Sequence, residues 1–512
     1  MRSKNLKAKI LEAETSQYSV LLHGEDAEEM GVYPGDRVEI ITDSASLVAV
    51  VDISRSLVEE GRIGVFTKAS DFLGLQGDEG LEVRPSSPPR SISIIQKMMG
   101  GKELNSEEIH EIVLDIVKGR LTPSEMTAFL VSQEINGMSI EETAYLTKSM
   151  VETGEILELE EEPIVDVHSI GGIPGNKYSL ITVPIVAAAG LAIPKTSSRA
   201  ITSPAGTPDI MEIMAEVSLS MEEISEIVSE VGGVLAWGGA VNLAPADDLL
   251  VQIERPLGID PKSQLLASIL SKKLSVRADR ILIDIPTGLG AKIESSENAR
   301  DLANDFMSLG HELGVEVDTA LTYGGQPLGY LVGPGLEARE ALNTLRGEGP
   351  NSLIEKSTEL AGALLEMGGF AARGEGCSMA RSILESGKAE EKFREIIDAQ
   401  GGNPDVRVDD LPLGDKTETL TANKGGYVKR IFNSCIKDIA RAAGAPRDKG
   451  AGVKLFYKEG QEVDEGDVIM EIFSEHESKL DDAVYFAKKN SPFKIEGMLL
   501  ERISRRPRGD RS

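Results

Sequence analysis

From Ile164 onward the chain repeats one pattern: a short apolar run, a polar loop with glycine or hydroxyls, then a segment with helical spacing. "PIVDVHSIGG" runs into a glycine pair and is followed by "SLITVPIVAAAG"; "LAIPKTS" is followed by "TPDIMEIMAEV". "RILIDIPTG" and "VDTALTYGG" read as continuous apolar strands, with the helix "ARDLANDFMSLGHELG" between them. Strands alternating with helices form a largely parallel sheet covered on both faces. In such sheets ligands bind outside the carboxyl ends of the strands, where these polar loops fall. The alternation therefore assigns residues 164–420 to an α/β lobe and says where to look for chemistry.

The flanks read differently. In residues 1–84, "YSVLLHG", "DRVEII", "SLVAVVDIS" and "GRIGVF" are strand-like runs separated by turn signals, which predicts a small β-rich domain. "RPSSPPRS" reads as a linker. Residues 91–160 switch to helical spacing. "NSEEIHEIVLDIVKG" puts Ile109, Ile112, Val113 and Ile116 on one face, with Asn105 or Ser106 as N-cap, and two further helices open with Ser or Thr and close on Gly. A return segment, 247–277, completes this helical lobe. Over residues 425–500 the texture is β again. "KGAGVKLFYKEGQEVDEGDVIMEIFSE" looks like a biotinyl-type hammerhead without the lysine expected at its hairpin tip, so the C-terminal α+β domain reads as structural. The basic tail, residues 501–512, reads as a solvated end. At 512 residues the chain is too long for one core, and the expected fold class is multidomain α/β.

Composition narrows the function. A net charge of -30 argues against a general nucleic-acid binder. It also demands that any anion site concentrate positive charge and N–H or O–H donors locally. Two cysteines, Cys377 and Cys435, cannot make a disulfide framework and fit a reducing compartment. "MRSKNLKAKI" has no apolar signal region, and "VPIVAAAGLAIP" is shorter than the roughly 20 residues a membrane span needs. A cytoplasmic location with no membrane partner is expected. The five histidines, His23, His110, His168, His311 and His476, are dispersed, so no metal and no cofactor are expected.

Four loops have the donors. "DVHSIGGIPGNKYS" sets Ser169, Gly172, Lys177 and Ser179 after a strand, where glycines let backbone N–H groups approach a phosphate. It completes neither the P-loop nor the Rossmann pattern. "KTSSRAITSPAGTPDIME", from Lys195, holds two cations and six Ser/Thr hydroxyls in one polar stretch. Ser197, Ser198, Arg199, Thr202, Ser203 and Thr207 converge there, and Arg199 offers a planar fork for phosphate or carboxylate. Asp209 and Glu212 fall in the first turn of the next helix, where acids suit the dipole. In "ERPLGIDPKSQLLASILSKKL", Asp260 before Pro261 reads as an N-cap, and Ser268 and Lys272 share a helix face. "DIPTGLGAK" ends a strand with Lys292 in reach of a second anionic group.

"DVHSIGG", "SSRAITSPAGTPDIME", "LAPAD" and "LLASILSKKL", in that order, resemble the thymidine/pyrimidine nucleoside phosphorylase family across roughly residues 92–495. The additional N-terminal β domain, "SIGGIPGNK", "KTSSRAITS" and "IPTGLGAK" are similar to its archaeal AMP phosphorylase branch. The nucleoside phosphorylases carry a lysine just before the His-Ser of the first loop; here that position is Val167, which leaves Lys177 and Lys292 as available cations. The resemblance implies that Ser169, Ser179, Ser197 and Thr207 hold the attacking phosphate. It implies that Arg255, Ser268 and Lys272 hold the base in the pyrimidine enzymes. In the AMP branch it implies nucleotide binding by Gly172, Ser198, Arg199, Ala200, Ile201, Thr202, Ser203, Thr207, Ser268 and Lys292, with Asp260 as proton donor from a partly buried position facing the phosphate loops.

The implied reaction is AMP plus inorganic phosphate giving adenine and ribose 1,5-bisphosphate, with CMP and UMP as further substrates. The nucleoside phosphorylases are dimers, so a homodimer or larger homo-oligomer is implied. Three rivals stand beside it: a thymidine or uridine phosphorylase, an anthranilate-type phosphoribosyltransferase, and a non-catalytic AMP-binding sensor. The second calls for pyrophosphate chemistry and an acidic metal loop, which the sequence does not display.

Overall fold

The computed structural model describes residues 3–15, 17–200 and 203–498. The chain divides into two compact units, Met1–Gly154 with Ala244–Ser271, and Glu155–Leu243 with Lys272–Ser512.

The first unit opens with β1 (Lys4–Leu11), β2 (Ser19–His23), α1 (Gly24–Met30), β3 (Arg37–Ile41), β4 (Ser46–Ser54), β5 (Arg62–Phe66), α2 (Thr67–Leu73) and β6 (Gly80–Ser86). The strands close a barrel in the order β1-β5-β2-β4-β3-β6. Alternation along each strand sends Leu6, Ala8, Val20, Leu22, Val38 and Ile40 inward, and closure leaves no free edge. The helices α3 (Ser91–Met99), α4 (Ser106–Val117), α5 (Pro123–Asn136) and α6 (Ile140–Glu152) follow. Three of them start with reciprocal capping boxes, Asn105/Glu108, Thr122/Glu125 and Ser139/Glu142. Ile109, Ile112, Val113 and Ile116 of α4 meet Phe129, Leu130 and Leu146 in one apolar core.

In the second unit, β7 (Val165–Ser169), α7 (Ser179–Ala188), β8 (Ile193–Ser197), α8 (Thr207–Met211), α9 (Met221–Val231) and β9 (Gly233–Trp237) run in order. The chain then supplies α10 (Pro245–Leu257) and most of α11 (Lys262–Ser275) to the first unit. It returns with β10 (Arg280–Thr287), α12 (Ser296–Leu313) and β11 (Glu316–Tyr323). Strands β11, β10 and β7 pair in parallel, as do β8 and β9. A parallel bridge between Ile164 and Ala192 links the two groups. Helix α7 is apolar on every side and is buried from Ser179 to Ala187, as a helix between sheet and outer helices must be.

Two local expectations change. β11 is an edge strand with only Val317 buried, so "VDTALTY" is not a continuous apolar strand: Asp318, Thr319 and Thr322 are tolerated where one side of the ladder is open. "TPDIMEIMAEV" is helical only over Thr207–Met211. Turn bonds carry the chain from Met211 to Ala215, and beyond them the Glu216 N–H donates to the Gln400 carbonyl at 3.0 Å while the Gln400 Nε2 donates back to the Glu216 carbonyl at 2.6 Å. Glu212 is therefore the C-cap residue of a five-residue helix and not part of its first turn.

Next come β12 (Leu331–Val332), α13 (Pro334–Leu345), α14 (Asn351–Met367), α15 (Gly376–Glu385) and α16 (Lys388–Ala399). The C-terminal part holds β13 (Lys416–Thr421), β14 (Gly426–Ile431), α17 (Asn433–Ala442), β15 (Gly452–Leu455), β16 (Glu462–Val463), β17 (Val468–Ser474), α18 (Glu477–Asn490) and β18 (Phe493–Glu496). These strands form two antiparallel sheets, β12-β15-β17-β13 and β16-β14-β18. Among the described residues, no helix is long and apolar enough to cross a membrane.

Candidate active site

The first donor loop leaves the carboxyl end of β7. Ser169 Oγ accepts from the Gly171 N–H at 3.3 Å and from Asn176 Nδ2 at 3.0 Å, so the serine braces the glycine turn. Gly172 has φ +96, and a Cβ there would lie 2.9 Å from the Cβ and backbone nitrogen of Lys292. Glycine is thus required for the β7 and β10 loops to touch. Ser179 is buried as the first residue of α7. Lys177 is not a free cation for this loop. Its fully buried ammonium pairs with Glu340 at 2.8 Å and donates to the carbonyls of Gly175 (2.9 Å), Leu331 (3.1 Å) and Leu328 (3.3 Å). Of the two cations left by Val167, only Lys292 remains a candidate.

The second loop leaves β8, whose last residue, Ser197, is in register with Trp237 of β9. Asp209 folds it: one carboxylate oxygen accepts from the Ala200 N–H at 2.6 Å and the Gly206 N–H at 2.9 Å. Asp209 therefore caps α8 and also shapes the loop. The Arg199 guanidinium lies 4.7 Å over the Trp237 ring, paired with Glu212 and 3.6 Å from Asp209. Glu212 also pairs with Lys449. Ser203 Oγ donates to the Ala205 carbonyl at 3.1 Å, and Thr207 opens α8. Ile201 and Thr202 lie outside the described residues.

These loops border a cavity of ≈ 140 Å³. Gly172 of the first loop, Ser203 of the second and Gly290 of the β10 loop line it together, beside the backbone of Lys292. Residues far apart in sequence thus converge at the carboxyl ends of parallel strands.

Two buried lysines stand beside these loops: Lys195, one of the two cations counted in the second stretch, and Lys273, which sequence reasoning did not single out. Lys273, fully buried near the end of α11, pairs with Asp166 at 2.6 Å and donates to the Thr196 carbonyl at 3.2 Å. Lys195 donates to the same carbonyl at 2.6 Å. Burial first, and then Lys273, bring its ammonium down to about 7, with Asp166 opposing. Burial, followed by Lys273, Lys195, Lys272 and Lys292, holds His168 well below the ordinary imidazole range, so it is neutral at pH 7. The legible signal was a lysine closing the apolar run "LAIPK" and the pair in "LSKKL".

Asp260 and Ser268 belong to the other unit. Ser268 Oγ donates to Asp247 at 2.8 Å, and Gln264 Nε2 donates to the other oxygen of the same carboxylate at 3.0 Å. "LAPAD" thus fixes the face of α11 that presents Ser268. The first carbonyl of α11 to accept a helical bond is that of Pro261, from the Leu265 N–H at 2.9 Å. Asp260 therefore stands one residue before the cap position, not at it, and it is exposed rather than partly buried. Elsewhere, Asp448, Glu475 and His476 are close enough to share a cation, but Asp448 already pairs with Lys479 at 2.6 Å and Glu475 accepts from the Gly450 N–H at 2.7 Å.

A helical bundle and an α/β sheet bearing donor loops are both parts of the glycosyl transferase family. Its helical bundle domain matches residues 92–154, its a/b domain residues 161–390, and a pyrimidine nucleoside phosphorylase C-terminal domain matches residues 427–494. The chain shares its fold with an anthranilate phosphoribosyltransferase from Thermus thermophilus, at TM-score 0.51 and 21% identity over 60% of this chain and 99% of that one. Its curated relatives are more specific. It is 52% identical to an AMP phosphorylase of Thermococcus kodakarensis, over 97% of this chain and 99% of the relative. It is 51% identical to AMP phosphorylase 1 of Archaeoglobus fulgidus, over 96% and 97%. The chain belongs to the AMP phosphorylase family.

Proposed function

We propose that this protein performs the phosphorolysis of nucleoside 5′-monophosphates, taking AMP and inorganic phosphate to adenine and ribose 1,5-bisphosphate, with CMP and UMP as further substrates. The observation that carries this reading is the joint cavity of Gly172, Ser203 and Gly290 beside Lys292, in a chain aligned end to end with AMP phosphorylases. Phosphate attacks the anomeric carbon as the bond to the base breaks, and charge builds on the leaving purine. Ser169, Ser179, Ser197 and Thr207 hold the attacking phosphate. Gly172, Ser268, Lys292 and the run Ser198–Ser203 hold the nucleotide. Lys195 and Lys273 lower the cost of two anions side by side in an acidic protein. Most of the catalytic gain is then positioning and charge stabilisation. Asp260 supplies the proton, with bound nucleotide as the cover that its exposed position calls for.

The chain acts in the cytoplasm, without metal or cofactor, as a homodimer or larger assembly. Its four domains are those read from the sequence, with a hammerhead-like C-terminal fold. The test is base release from a panel of nucleoside 5′-monophosphates with and without phosphate. Adenine must appear only with phosphate; release in plain buffer makes the enzyme a hydrolase, and preference for thymidine makes it a nucleoside phosphorylase. Asp260→Asn keeps AMP binding and lowers turnover by about 10²–10⁴. A near-normal rate removes Asp260 from the chemistry.

A further inference from the structure

The cavity at the strand ends is not built by the α/β lobe alone. Asn433, Ser434 and Lys437, from the first turns of α17 in the C-terminal domain, form its far wall. The sequence reading gave this domain no part in binding, yet its contribution has a definite chemistry. Phe432, the N-cap of α17, provides no side-chain cap, so the first N–H groups of a ten-residue helix begin at the wall.

Asn433 is 3% exposed. Its Nδ2 donates to the Gly324 carbonyl at 2.9 Å and, more weakly, to the Gly290 carbonyl at 3.5 Å, which fixes the β10 and β11 loops against α17. Its Oδ1 is buried, with no partner among the described residues. Lys437 is one turn further along the same face. Its nearest acid, Asp438, is 3.7 Å away and both are partly exposed, a weak pairing. Arg430 stacks its guanidinium 4.9 Å over Phe432, and its Nη2 reaches within 3.5 Å of where a Cβ on Gly290 would stand. The acid at this rim, Glu294, is engaged by the Gly290 N–H at 2.9 Å.

Cations gathered with a helix N-terminus on the wall of a phosphate-loop cavity suit one kind of occupant: an anionic ester, a sugar phosphate. We propose that Lys437 is a specificity-determining residue for the 5′-phosphate of the nucleotide. The C-terminal domain thereby selects monophosphates over nucleosides. This rests on the AMP reading above, and it assigns to α17 a share of the subsite that Lys292 was expected to serve.

The experiment compares wild type with Lys437→Gln, Lys437→Glu and Lys437→Arg, measuring AMP and adenosine binding by calorimetry, phosphorolysis of both, and thermal melting. Lys437→Gln is expected to weaken AMP about ten- to a hundredfold in Kd and KM, Lys437→Glu further, with adenosine unchanged and Lys437→Arg close to wild type. Equal losses on AMP and adenosine, or no loss on AMP, overturn the proposal. If wild type converts AMP and Lys437→Gln matches it, only this inference falls. If wild type neither prefers AMP to adenosine nor releases adenine with phosphate, the reading of the function falls and takes this inference with it.

Discussion

The loops after β7 and β8 sit at the ends of parallel strands and look alike in composition, but opposite charges hold them in shape. The first is tied from within by a cation: Lys177 collects the carbonyls of Gly175, Leu328 and Leu331, together with the Glu340 carboxylate. The second is tied by an anion, Asp209, which collects the N–H groups of Ala200 and Gly206. A tie of one sign uses up backbone groups of the other. The tie on the first loop takes its Gly175 carbonyl, and the Gly171 N–H is given to Ser169 Oγ. The second spends N–H groups and must rely on hydroxyls, which explains why its sequence is crowded with Ser and Thr while the first is crowded with Gly. On the proposed reading, two loops that serve phosphate need not share a motif.

The sharpest way to break this contrast is Lys177→Met. It strands Glu340, buried and hydrogen-bonded to the Tyr330 N–H, without its counter-charge. Removing one partner of a buried ion pair costs about 3–5 kcal/mol. Denaturant midpoints should fall accordingly, and the double variant Lys177→Met/Glu340→Leu should recover much of the loss. Equal stability of single variant and wild type would mean that the ammonium does not hold the loop.

The lysines beneath the two loops differ in the same sense. Lys177 has a carboxylate in contact, whereas Lys195, in the middle of β8, donates to a carbonyl, so burial and then the neighbouring Lys273 bring its ammonium down to about 7. The folded-state value is below the unfolded one of 10.5. Between about 7 and 10.5 the unfolded chain therefore binds the extra proton, and stability rises with pH by up to about 1.4 kcal/mol per unit. Below about 7 the burial cost is fully present; above 10.5 it vanishes. Lys195→Met deletes this cost together with one hydrogen bond. Its stability relative to wild type should be most favourable at pH 6–7 and shrink toward pH 10, by roughly 4 kcal/mol at most. A difference independent of pH removes the charge from the account.

Much of this was legible in the sequence, because the deciding interactions are local. "NSEE", "TPSE" and "SIEE" each contain both halves of a capping box, and the structure has all three. The strands of the barrel show in their alternation, although closure does not, since it needs β1 to pair with both β5 and β6 across long loops. What stayed hidden is tertiary. Nothing in "TPDIMEIMAEV" announces that the helix stops at Met211 or that Gln400 will pair with Glu216. The lysine missing at Val167 is legible, but the meeting of Lys195 and Lys273 on the Thr196 carbonyl is not, because helix and strand meet only in the fold. The wall contributed by α17 comes from a domain whose sequence displays no binding motif.

The smallest effect on stability, and the one closest to chemistry, is that of Asp209→Asn. Asparagine keeps one oxygen for the Ala200 and Gly206 N–H groups but loses the charge that strengthens both bonds. It also turns a second donor toward Arg199, now 3.6 Å from the carboxylate. The expected cost is about 1–3 kcal/mol, the range for a hydrogen bond to a charged group. The functional cost should exceed the thermal one, because the loop has no other described tie to its own N–H groups and its hydroxyls lose their register. Under saturating AMP, KM for phosphate should rise severalfold while the melting temperature falls by a few degrees. Lys177→Met should do the reverse at matched residual folding, with stability lost and KM for phosphate nearly kept. If Asp209→Asn melts early but binds phosphate normally, hydroxyl placement does not depend on the carboxylate, and the two loops are alike in function despite their opposite ties.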